Sequence, residues 1–245
     1  MKTLIYAHRG ASGYAPENTN EAFALAMEQG AEGVELDVHL TRDGQVIVTH
    51  DERIDRVSDG TGLVSMLSVK DIKKHLFNRT HPEYAEARAP LLEEVLELMK
   101  PSGMGINIEL KNSRIPYEGM ESKCLDLAAK MGMEDRIVYS SFNHHSMTFL
   151  KSLNPDAVCG LLYDCSLLKP ADYLKLSGVN ALHPHYSDLL LNKAEYERVQ
   201  EQGGLIHVWT VNDDRAMRKV MNAGADILIT NFPDRALAVR DEAPV

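Results

Sequence analysis

The chain has 245 residues, 44% of them apolar and 25% charged; that length suits one large domain, and α/β barrels commonly fill it without a boundary. No run approaches the roughly 18 apolar residues of a membrane span, and a formal charge of -10 argues against nucleic acid as a partner and against stable association with anionic membranes. The start MKTLIYAHRG lacks the apolar core of a secretory signal, and three cysteines, Cys124, Cys159 and Cys165, lack metal-site spacing; together they predict a cytoplasmic protein with reduced thiols.

In chain order, residues 3–8 predict a short strand ending at His8-Arg9-Gly10. The loop that follows runs into a helix. Asn18 and Glu21 read as its capping box, Ala22, Phe23, Ala26 and Met27 as its apolar face, and Gly30 as its end. The stretch from Gly33 to Asp51, GVELDVHLTRDGQVIVTHD, reads as a strand, a turn at Asp43-Gly44 and a second strand. Val34, Leu36, Val38 and Leu40 form one apolar face, and the other face carries Glu35 and Asp37. Residues 51–88 are polar and charged, show little periodicity, and read as an insertion. Pro90 is expected to open the helix LLEEVLELM. Further strands at 105–110, 136–141, 157–163, 179–183, 205–210 and 226–230 alternate with helices through glycine-marked turns. Eight such strands predict a single (β/α)8 TIM barrel over residues 1–245, with the insertion at 51–88 capping its C-terminal face. A doubly wound open sheet fits less well, because no GxGxxG follows the first strand.

In a barrel the C-terminal strand ends converge on one rim, and His8, Glu35, Asp37, Glu109, Lys111, His183 and Trp209 all lie at or near such ends. Three acids on neighbouring inward faces, Glu35, Asp37 and Glu109, repel unless compensated. Spacing alone leaves two readings open: a hard divalent cation, or a salt-bridge network with Arg9 and Lys111. His8 and His50 close strands beside these acids, and a pair of imidazoles can act as base and acid on two sides of a substrate. His183, His185 and His207 read as lining or structure. Arg9 and Lys111 offer local positive charge for a phosphoryl group, and Phe142 and Trp209 are candidates to pack on an organic substituent.

Taken in order, His8-Arg9-Gly10, PENT at Pro16 to Thr19, Glu35-Leu36-Asp37-Val38, DGQVIVTHD, Glu109-Leu110-Lys111, VWTVN and ITNFP resemble the glycerophosphodiester phosphodiesterase family of the bacterial, cytoplasmic type. The resemblance spans nearly the whole chain. It implies one divalent cation, Mg²⁺ or Ca²⁺, on Glu35, Asp37 and Glu109, with His8 and His50 as general acid and base and Arg9 and Lys111 on phosphate. It also implies hydrolysis of a small glycerophosphodiester to glycerol 3-phosphate and an alcohol. The family commonly carries Asp where this chain has Asn231. Competing functions are a phospholipase D-type hydrolase of lysophospholipids or sphingomyelin, a non-catalytic phosphodiester-binding protein, and an unrelated metal-dependent barrel enzyme. Sequence does not specify oligomeric state, and a homo-oligomer is compatible with it.

Overall fold

A computed structural model describes residues 2–242. Nine strands form one sheet: β1 (Leu4–His8), β2 (Gly33–Leu40), β3 (Val46–Val48), β4 (Gly105–Leu110), β5 (Ile137–Ser141), β6 (Val158–Tyr163), β7 (Ala181–Pro184), β8 (Leu205–Val208) and β9 (Ile227–Thr230). All but β3 pair in parallel, and β1 pairs with both β2 and β9, which closes eight strands into a barrel. The helices α1 (Asn20–Glu28), α2 (Val69–Ile72), α3 (Leu92–Met99), α4 (Met120–Met131), α5 (His144–Leu153), α6 (Pro170–Ser177), α7 (Tyr186–Leu191), α8 (Lys193–Glu201), α9 (Asp214–Asn222) and α10 (Pro233–Asp241) complete the chain. The fold is a TIM barrel, and every expected barrel strand is present with its ends shifted by at most two residues. No helix among the described residues is long and apolar enough to cross a membrane.

The alternation in GVELDVHL sorts its side chains between two buried environments. Val34, Leu36 and Val38 face outward and pack with Phe23 of α1 and Leu92, Val95 and Leu96 of α3. Glu35 and Asp37 therefore point into the barrel, which explains why all eight residues of β2 are buried. Below the carboxylates, Tyr6 of β1 fills the barrel floor. A Cβ on Gly105 would stand 2.0 Å from the Tyr6 hydroxyl, and one on Gly33 would stand 2.4 Å from its ring. Glycine at these two positions is what admits the ring. The β1–β2–β4 register then lifts His8, Glu35 and Asn107 one layer above it.

Two local expectations are corrected. Thr19, not Asn18, caps α1, its hydroxyl accepting from Ala22 N–H at 3.3 Å; Asn18 is instead drawn to Asp37, whose carboxylate accepts from its amide at 2.8 Å. Pro90 does not open α3. Its carbonyl accepts from Val48 N–H at 2.9 Å, extending the pairing at β3, and the helix begins at Leu92 with the Glu94 side chain accepting from Leu91 N–H. Residues 51–88 are more ordered than their composition suggests. Ile54, Val57, Val64, Ile72 and Phe77 form a small core of their own with Ile47 and Ala89, and α2 carries a Ser68–Asp71 capping box.

Candidate active site

Glu35, Asp37 and Glu109 are all buried and bring carboxylate oxygens to within 4.8 Å of one another. Asp37 is the best compensated. Besides Asn18 it has Arg9 Nε at 3.4 Å and Lys111 Nζ at 3.6 Å. Burial works to raise its pKa, but Lys111, Arg9 and the Asn18 amide outweigh burial and hold it well below the usual carboxylate range. Glu35 is less favoured. It accepts from Arg9 N–H at 3.0 Å, and burial together with the charges of Asp37 and Glu109 pushes its pKa well above normal. Glu109 is also raised, by burial first, although Lys111 Nζ donates to it at 2.8 Å. Arg9 and Lys111 thus offset part of the negative charge of the cluster, and two of its acids remain energetically uncomfortable as anions. Asp37 Oδ1 is buried with no hydrogen-bond partner. A cavity of about 20 Å³ beside Glu35, Glu109, His8 and Asn107 is the size of one small ion or water.

His8 and His50 sit on this same rim. His8 Nδ1 lies 2.7 Å from Asn231 Oδ1, so the proton is on Nδ1 and Nε2 faces Glu35 at 3.9 Å. Burial, reinforced by Arg9, pushes its pKa down to about 3. His50 Nδ1 donates to Asp51 Oδ1 at 2.6 Å, and Lys111 Nζ lies 3.2 Å from its Nε2. Its backbone carbonyl accepts from Nε2–H of the buried His39, whose Nδ1 in turn accepts from the Tyr117 hydroxyl. Each catalytic candidate is therefore held by one nitrogen with the other turned inward, the arrangement that proton transfer at a defined atom needs.

Phe142 and Trp209 stand edge to face, ring centroids 5.6 Å apart. Trp209 Nε1 donates to the His183 carbonyl at 2.8 Å, fixing the indole beside the small cavity. Phe142 is 40% exposed and lines a larger cavity of about 530 Å³ with His50, Glu52, Glu109, Lys111 and Arg114. That cavity lies next to the carboxylates and is wide enough for an organic group attached to a phosphate. His183 is buried against His207, centroids 4.5 Å apart, and His185 caps α7, so neither joins the cluster.

Several residues at the rim escape sequence reasoning. Glu17 accepts from Arg9 Nη1 at 2.9 Å and from Arg56 Nη1 and Nη2 at 2.8 and 2.7 Å. Arg56 also reaches Asp51, Nε to Oδ2 at 2.6 Å. Glu17 was visible as part of PENT, but nothing in the order of residues pairs it with an arginine 39 positions away. Asn231, noticed as a departure, proves to be the acceptor for His8.

Residues 8–235 match the model of the Glycerophosphoryl diester phosphodiesterase family. The chain is 38% identical over 235 residues to the glycerophosphodiester phosphodiesterase of Caldanaerobacter subterraneus subsp. tengcongensis, covering 96% of both chains. It is also 38% identical over 244 residues to that of Bacillus altitudinis, covering 98% of this chain and 99% of the relative. Among solved structures it resembles an Oleispira antarctica phosphodiesterase in complex with the product sn-glycerol-3-phosphate, with a TM-score of 0.90 at 29% identity over 98% of each chain.

Proposed function

The chain belongs to the glycerophosphoryl diester phosphodiesterase family, and from that premise we propose that it hydrolyses small glycerophosphodiesters to sn-glycerol 3-phosphate and an alcohol with the aid of one divalent cation, Mg²⁺ or Ca²⁺. That it is an enzyme of this activity follows from its relatives. The cation, the residue roles and the product are our reading of the site. The observation that carries it is the meeting of three buried acids within 4.8 Å with two histidines on the same rim.

The donor set suits a hard cation, being all carboxylate oxygen on three neighbouring positions of β2 and β4, with Asp37 Oδ1 accepting no hydrogen bond, its ion-pair partner Lys111 Nζ standing 3.6 Å away, and room beside the cluster for one ion. Glu35, Asp37 and Glu109 would hold the cation, which would offset the negative charge that builds up on the phosphodiester group. Arg9 and Lys111 bind the remaining phosphoryl oxygens, Arg9 oriented by Glu17 and Asp37, Lys111 by Glu109. One histidine takes the proton of the nucleophile, water or the glycerol 2-hydroxyl, at Nε2, and the other, entering the cycle protonated at Nε2, gives that proton to the leaving alcohol. Where the nucleophile is the glycerol 2-hydroxyl, a water activated in the same way then opens the cyclic phosphate to glycerol 3-phosphate. Phe142 and Trp209 pack on the organic group, whose alcohol portion occupies the larger cavity. Residues 51–88 cap this face within the single domain. The lysophospholipid reading differs in needing an apolar approach from a membrane, whereas this cavity is rimmed by Glu52, Lys111 and Arg114.

Replacing either histidine by alanine tests the assignment. His8→Ala and His50→Ala are each expected to lower turnover of glycerophosphocholine by roughly two to four orders of magnitude, with circular dichroism and unfolding midpoint retained. Near-normal rates in both single variants would sink it.

A further inference from the structure

Arg56 is the residue on the rim whose role the reaction scheme above leaves unexplained. It belongs to the insertion, and its side chain is 45% exposed. All three of its nitrogens are nevertheless committed. Nε and Nη2 hold the two oxygens of Asp51 at 2.6 and 3.3 Å, while Nη1 and Nη2 hold the two oxygens of Glu17 at 2.8 and 2.7 Å. A planar fork meeting two carboxylates at once is a geometry that lysine cannot reproduce.

Each of those carboxylates has a second task. Asp51 Oδ1 accepts from His50 Nδ1 at 2.6 Å, and Glu17 Oε1 accepts from Arg9 Nη1 at 2.9 Å. Two chains of hydrogen bonds therefore start at one guanidinium, running through Asp51 to His50 and through Glu17 to Arg9. The first keeps the His50 proton on Nδ1, which leaves Nε2 as the lone pair that Lys111 Nζ approaches at 3.2 Å. The second keeps the Arg9 guanidinium turned across the site, where its Nε meets Asp37 at 3.4 Å. Exposed ion pairs contribute little to folding, so stability gives a weak account of this arrangement.

We infer that Arg56 is a positioning residue through which the insertion sets, by way of Asp51 and Glu17, the ring of His50 and the guanidinium of Arg9 together. The inference rests on the proposal that His50 and Arg9 serve the reaction. It gives the insertion a direct part in organising the chemistry, beyond covering the cavity. It also separates two effects on kinetics: loss of the Asp51 arm disturbs proton transfer and lowers kcat, and loss of the Glu17 arm loosens the phosphate contact and raises KM.

The test uses the full-length chain with Mg²⁺ or Ca²⁺ and glycerophosphocholine, measuring kcat, KM, the urea midpoint and ¹⁵N spectra of the histidine rings. Arg56→Ala is expected to lower kcat roughly tenfold to a hundredfold and to raise KM several-fold, at an unchanged urea midpoint. Arg56→Lys, which keeps the charge and loses the fork, should recover part of the KM and little of the kcat. The His50 signals should pass from one Nδ1–H tautomer to a mixture. In an Asp51→Asn, Glu17→Gln background the same Arg56→Ala change should have little further effect. If Arg56→Ala keeps wild-type kcat and KM while His50→Ala is inactive, the inference is overturned and the catalytic reading stands. If His50→Ala itself retains full activity, the catalytic reading fails instead, and the ¹⁵N tautomer still reports whether Arg56 orders the ring. Should Arg56→Ala fold poorly, Arg56→Lys decides: wild-type kcat and an unshifted tautomer there reject the inference.

Discussion

Arg9 and Asn18 hold left-handed φ angles of 56° and 58°, a conformation that costs a non-glycine residue of order 1–3 kcal/mol. Both spend that strain on the carboxylates. The turn at Arg9 aims its N–H at Glu35, and the turn at Asn18 lets one side chain both donate to Asp37 Oδ2 at 2.8 Å and accept from Asp37 N–H at 3.3 Å. Asn18→Ala removes a hydrogen bond from a buried, ionised acid, so a loss of about 1.5–3 kcal/mol in urea unfolding is expected, together with weaker cation binding by titration calorimetry. An unchanged midpoint and affinity would show that Asp37 is held by Arg9 and Lys111 alone. Sequence reading could name His8, Glu35, Asp37, His50, Glu109 and Lys111 because each closes or alternates along a strand. It misassigned Asn18 because Asn before a helix, with Glu three residues on, has the form of a cap; only the fold brings Asp37 within its reach.

Strands β7 and β8 carry a different pair of histidines. His207 is pushed down to about 3 by burial, and His183 lies well below the ordinary value for the same reason, with His207 adding to it. In the unfolded chain both titrate near 6.5. The folded rings stay neutral while the unfolded rings take up protons, so stability is full above about pH 6.5 and falls as the pH drops towards 3. Between pH 7 and pH 5 the His207 ring accounts for about 2 kcal/mol of that loss, and His183 adds to it in the same direction. His207→Asn should therefore show a smaller drop in urea midpoint over this range than the parent chain, and an equal drop would contradict the assignment. These elements were legible as strands from their apolar runs and glycine punctuation. The order within residues 51–88 was not. Its core is assembled from Ile54, Val57, Val64, Ile72 and Phe77 at irregular spacing, and irregular spacing leaves no period to detect.

Across the whole molecule, the barrel turns one periodic feature into a site. Outward apolar residues bind the helices, inward residues stack in layers, and the two layers nearest the rim hold the three acids, Glu35 in one and the paired Asp37 and Glu109 in the next. The count of eight strands made this arrangement readable in advance, since rim convergence follows from closure. The Glu17–Arg56–Asp51 bridge did not follow from closure, because it joins the first βα loop to the insertion. The chain carries a net charge of -10, so on the proposed reading an anionic substrate would be held by the local cations Arg9 and Lys111 and by the proposed metal. The most direct test of that account is the formation of glycerol 3-phosphate from glycerophosphocholine and glycerophosphoethanolamine, followed by a coupled assay before and after thorough chelation. The account predicts glycerol 3-phosphate from these substrates, its loss with EDTA and its return on adding Mg²⁺ or Ca²⁺. Undiminished hydrolysis by the metal-free protein, or hydrolysis of a long-chain lysolipid with neither of these substrates, would contradict it.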